Sequence, residues 1–220
     1  MPDLSKHVKK GKELLLNNQT RPFVIAGATM GWNLVYGIFC GLLGVVYDSG
    51  WFFAMFAYYV ALGLMRMLVV EAKRHGTPKA RRRAVLLCGW GLILLAVILS
   101  LITMFTIEDS IGTAYHMVVM IAMAAYTFYI FVNAIVRTVK AHRRKDRLEV
   151  ALRNISFAAA VGAMLSLERS MLSTFGSSTD RFTYVMEGAS GMGAFLIVLG
   201  LGISMLVSAT RMRQDRMDAQ

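Results

Sequence analysis

The residues whose types and spacing are capable of chemistry lie inside apolar stretches, where an ionisable group costs several kcal/mol and normally faces a bundle interior or water. Ser166-Leu167-Glu168-Arg169-Ser170 sets a carboxylate beside a guanidinium. Neighbours in sequence point about 100° apart on a helix and do not face each other, so each needs its own partner. Glu187, on the next apolar stretch, is the expected partner of Arg169. That leaves Glu168 for His116 or for a solute, as a group able to bind a cation or carry a proton. A second group, Asn33, Arg66 and Asn133, lies nearer the other end of its spans. Arg66 precedes Lys73 by seven residues, which places it about 10 Å from the end of its span and about 12 Å in depth from Glu168. From there it either faces the interior or snorkels to the headgroups. Tyr126, Tyr129, Asn133 and Arg137 recur at i, i+3, i+7 and i+11, one continuous helical stripe. Such a stripe is either the wall of a polar cavity or a set of interhelical hydrogen bonds. Thr29, Asn33, Tyr36, Cys40 and Gly44 line one face of the first span.

Enzyme motifs do not close. Gly188-Ala189-Ser190-Gly191 looks like the serine motif of rhomboid proteases, but that chemistry needs a later histidine to take the serine proton, and none follows His142. Four His and two Cys are scattered without metal-ligand spacing. No phosphate-binding Gly-x-x-x-x-Gly-Lys is present. Glu108-Asp109 sits in a loop, where solvation accounts for it. The chain is therefore expected to be neither an enzyme nor a holder of a metal or cofactor.

The elements that must position these groups are long apolar helices. Of 220 residues, 56% are hydrophobic and 17% charged, against about 25% charged in soluble domains. The apolar residues fall in six blocks: Phe23 to Tyr47, Trp51 to Ala72, Ala84 to Thr106, Ala114 to Val136, Ile155 to Phe175, and Phe182 to Ala209. Each is about the length that crosses a ~30 Å hydrocarbon core. The expected fold is an all-α, polytopic transmembrane bundle of six helices. A basic arm (1–21) precedes the transmembrane domain (22–209), and a short tail (210–220) follows it. The arm, Leu4 to Leu16, alternates Lys with apolar residues and is read as a surface helix.

Charge orients the bundle. Lysines and arginines, 24 in all, crowd the arm, the second and fourth connections and the tail; the opposite side carries only Arg181, with Asp48, Glu108, Asp109 and Asp180. The positive-inside rule then puts both termini in the cytoplasm. The net charge of +11 is thereby assigned to anionic lipid headgroups, at about 1 kcal/mol per basic residue, and not to nucleic acid. Cys40 and Cys88 lie within spans and read as small core residues. Gly27-x-x-x-Gly31 and Gly37-x-x-x-Gly41 read as sites of close helix approach.

Shifting the second span by 67 residues lays Tyr59, Val69, Lys73 and His75 on Tyr126, Val136, Lys140 and His142. With a similar match in the sixth span, this is compatible with three helical hairpins of one ancestry. Tyr58-Tyr59 with Met65-Arg66, Tyr126-Thr127-Phe128-Tyr129 with Ala134-Ile135, and Ser166-Leu167-Glu168 with Met171-Leu172 together give a chain that resembles a family of small six-span bacterial membrane proteins with no assigned activity. The resemblance implies a bacterial cytoplasmic membrane and carries over no functional residue. The expected function is a permease or channel for a small solute or ion. The alternative is a membrane-embedded partner or sensor subunit, acting as a homo-oligomer or with another membrane protein.

Overall fold

The computed structural model describes residues 21–106, 116–141, 147–175 and 181–217. They form six helices and no strand: α1 Arg21–Tyr47, α2 Gly50–His75, α3 Pro78–Thr106, α4 Met117–Ala141, α5 Arg147–Phe175 and α6 Arg181–Met217. Helices α2 to α6 are each long and apolar enough to cross a membrane, and α1 adds the apolar stretch Gly31–Tyr47. The fold is an all-helical transmembrane bundle. The arm at 1–20, with its expected surface helix, lies outside the described residues, as do Tyr115, Glu108, Asp109, Asp180 and the side chains of Thr29, Arg137 and Ser173.

Several helices outrun their apolar blocks at the basic ends. Helix α3 starts six residues early at Pro78, α5 starts eight early at Arg147, and α6 continues past Ala209 to Met217. Hydropathy marks where lipid begins, whereas helicity persists through Arg and Lys, which are good helix formers. Helix α6 thus runs across the expected boundary between domain and tail at 209/210. Helix α2 ends at His75 and is capped by Gly76, whose φ of 70° is left-handed, and Pro78 opens α3, where its missing N–H costs nothing. The α1–α2 turn uses Asp48 at φ 46°, a conformation that short polar side chains tolerate.

The helices stand in two rows, α1–α2–α3 and α4–α5–α6, with α2 against α5 and α3 tightly against α6. Helix α5 is the most enclosed, with 61% of its apolar window buried, against 28% for α4 and for α6. Among the described residues, α3 has its closest backbone approach to α6 and α4 to α5, so the middle pair of a three-hairpin arrangement, α3 and α4, is not a close-packed one. The α2–α5 seam fixes an antiparallel register: Tyr58 Oη donates to Ala158 O at 2.8 Å, Tyr59 Oη to Ala159 O at 3.2 Å, and Lys73 Nζ meets Glu149 Oε1 at 3.5 Å. Glycines set the close approaches. A Cβ on Gly202 would stand 3.1 Å from Gly89 O, backbone against backbone, across α3 and α6. In α1, Gly37 and Gly41 pack on Phe56 of α2, as the spacing suggests, whereas Gly31 meets none of the described residues within 4 Å.

One end of the bundle gathers Lys73, Arg147 and the α6 carbonyl of Ser208, to which Arg147 Nη1 donates at 2.9 Å. The other end gathers Tyr47, His116, Trp51, Arg169 and Glu187. Successive helices therefore alternate in direction.

Candidate functional site

Two polar clusters occupy the bundle, one toward each end. The cluster at the end expected from charge to face outward, the outer cluster, is an ion pair: Arg169 Nε lies 3.0 Å from Glu187 Oε1, and the two side chains are 5% and 4% exposed. The guanidinium carbon stands 4.3 Å over the Trp51 ring, a cation–π contact strengthened by desolvation. The expected pairing of Glu187 with Arg169 is present. Thr103, Leu165, Glu168, Leu172 and Ser190 complete the cluster, which has no internal room for water. Glu168 lines it beside Ser190, and its Oε1 is buried with no hydrogen-bond partner among the described residues. His116 does not join. It sits exposed at the start of α4, where Nδ1 accepts from Val118 N at 3.4 Å and its own N–H donates to Tyr47 Oη at 3.4 Å. As the residue just before the first helical turn, His116 caps its own helix rather than reaching across to α5.

The inner cluster surrounds a cavity of about 10 Å³ between α1 and α4, floored by α2 and α5. Asn33, Arg66, Asn133 and Ser156 supply its polar wall; Trp32, Tyr129, Ile130 and Ala134 complete it. Arg66 is 4% exposed and points inward, its Nη2 donating to Ser156 Oγ at 3.1 Å. Snorkelling is thus replaced by an interior role. Ser156 Oγ donates in turn to Leu152 O at 2.8 Å. Asn33 is 2% exposed, and its Nδ2 has no partner among the described residues. Trp32 and Tyr129, each 47% exposed, meet edge-on at 5.4 Å between centroids and cover the cavity toward the bundle surface.

The described parts of the expected stripes are present, Thr29 and Arg137 lying outside the described side chains. Asn33, Tyr36 and Cys40 on α1 are buried, and they face Tyr126, Tyr129 and Asn133 on α4. These two helices meet through side chains, with Tyr36 and Tyr126 stacked at 3.5 Å and 3°. Tyr59 stands edge-on to both, at 4.9 Å and 6.2 Å. This tyrosine trio, with the fully buried Phe52, Met55 and Met123, fills the bundle between the clusters. Tyr126 therefore belongs to the plug, not to the cavity wall. Ser156 and Glu168, twelve residues apart on α5, set the clusters about 18 Å apart along the helix axis. Arg66 reaches Ser156 and not Glu168, in line with the expectation that their depths differ too much for a direct pair.

Sequence reasoning missed Ser156, Trp51, Ser190 and Asn154. Ser156 and Asn154 flank Ile155, the first residue of the apolar block, and were absorbed into its edge. Asn154 Nδ2 donates to Ser204 Oγ at 3.0 Å and ties α5 to α6. The sevenfold spacing Glu149–Ser156, mirrored by Arg66–Lys73 on α2, was the available signal. Among the described residues, no cluster of His, Cys, Asp and Glu has metal-binding geometry.

Comparison with family models, with curated proteins and with solved structures finds no match. What the fold and the clusters define is a class: a multi-pass helical membrane protein with two buried polar centres.

Proposed function

We propose that this protein is a permease or channel for a small solute or ion in a bacterial cytoplasmic membrane, and not an enzyme. The observation that carries the reading is the cavity bounded by Asn33, Arg66, Asn133 and Ser156, supplied by four different helices. A bundle selected only for stability fills such a space with apolar side chains, since intramembrane charge is costly and marks solute pathways. The tyrosine trio and the closed outer cluster describe a conformation shut between cavity and outer rim. Opening would separate α1 from α4, the pair joined by side chains alone. In this reading Glu168 is the candidate proton carrier, and the basic rim holds anionic headgroups.

A second reading, a membrane-embedded partner or sensor subunit, is favoured by the filled midplane. Flux from proteoliposomes, measured across a series of ions at two pH values, separates the two. The permease reading expects flux above empty liposomes for at least one ion, with its pH dependence lost in Glu168→Gln. Folded protein that carries none of them supports the partner subunit.

A further inference from the structure

We infer that the inner cavity binds a small monovalent inorganic anion of halide size, and this rests on the permease reading. The wall offers donors and positive charge. The Arg66 guanidinium enters it from α2, amides enter from α1 and α4, and among the described residues no carboxylate lines it. The intramembrane carboxylates Glu168 and Glu187 belong to the other cluster, about 18 Å along α5. A cation brought here meets like charge at short range in a low dielectric, where Coulomb energies are large. An anion meets a charge-assisted donor, which binds about twice as strongly as a neutral one.

Asn33 points the same way. Its side chain is 2% exposed, lines the cavity, and leaves Nδ2 without a partner among the described residues. A buried donor held open costs free energy unless a ligand or water accepts from it. Size narrows the class. About 10 Å³ is the room of about one water, so a halide, which is larger, enters as α1 shifts slightly from α4, whereas a phosphate headgroup or an organic carboxylate needs a far larger displacement.

Trp32 lines this cavity and reports on its contents, because iodide quenches indole emission on contact. Wild-type protein in zwitterionic nanodiscs is titrated with potassium iodide replacing potassium gluconate at constant ionic strength. The expected result is a saturable quenching component that chloride displaces. It disappears in Trp32→Phe, weakens at least tenfold in Arg66→Gln and in Asn33→Asp, and is retained in Arg66→Lys. Quenching that stays linear and indifferent to chloride in wild type overturns the proposal, whether or not any variant folds. So does a saturable component that survives Trp32→Phe or Arg66→Gln. Flux measured on the same preparation keeps the two readings apart. Transport of a cation or neutral solute without iodide binding removes the anion and leaves the permease. Chloride-displaceable binding without any flux keeps the anion site and removes the permease.

Discussion

Glu187→Gln should destabilise the bundle by about 3 kcal/mol. Both members of the Arg169–Glu187 pair are all but enclosed, at 5% and 4% exposure, with 3.0 Å between Nε and Oε1. Glu187 is six residues into α6, about 9 Å along its axis, so solvent cannot relax around a charge left behind. Removing one partner of such a pair costs about 3–5 kcal/mol, because the survivor remains buried and uncompensated. For Glu187→Gln the lower end applies. The amide oxygen still accepts one hydrogen bond, and the Trp51 face at 4.3 Å retains about 0.5–2 kcal/mol of cation–π attraction. Arg169→Met forfeits both and leaves the carboxylate behind, so it should reach about 5 kcal/mol. A loss of 3 kcal/mol is roughly a 150-fold change in the unfolding equilibrium constant. Reversible unfolding in mixed micelles, followed by circular dichroism, measures it. The double variant Arg169→Met/Glu187→Leu buries no charge and should lie within about 1 kcal/mol of wild type. Single variants that each stay within 0.5 kcal/mol of wild type (about the scatter of surface substitutions), or a double variant equal to the sum of the singles, would refute the coupling.

Glu168→Gln, one residue from Arg169, should not lose stability in the same unfolding assay, because Glu168 is not the carboxylate that pairs with Arg169 and its buried Oε1 has no hydrogen-bond partner among the described residues to forfeit. Gly202→Leu should cost about 1–3 kcal/mol by overpacking, since its Cβ would stand 3.1 Å from Gly89 O and 2.7 Å from Ile93 Cγ1. Gly193→Ala, with nothing within 4 Å, should be neutral or gain up to about 1 kcal/mol of helix propensity; equal losses at both glycines would contradict the α3–α6 geometry. For orientation, an impermeant thiol reagent applied to intact cells should reach a cysteine placed at Ser110 or Ser177 and not one at Thr77. Labelling at Thr77 would invert the bundle.

The sequence by itself determined the helices, because a 20-residue apolar run in lipid has to satisfy its own backbone hydrogen bonds. It also determined which faces are polar. The sevenfold spacing of Tyr59, Arg66 and Lys73, and the stripe from Tyr126 to Asn133, are properties of a 3.6-residue period and need no partner to be read. The Arg169–Glu187 pair followed from depth, because few buried groups can neutralise an arginine there. Only the tertiary structure decided which helices touch. Lipid tails are as apolar as the side chains they meet, so hydrophobicity does not choose between neighbours; small residues and shape do. Gly89 and Gly202 therefore bring α3 to α6, and α4 is left against α5 rather than paired with α3. The α2–α5 register, set by Tyr58 and Tyr59 on backbone carbonyls, brought Ser156 to Arg66 and Trp51 to Arg169. No spacing within one helix encodes a partner on another, so the composition of both clusters waited on that register.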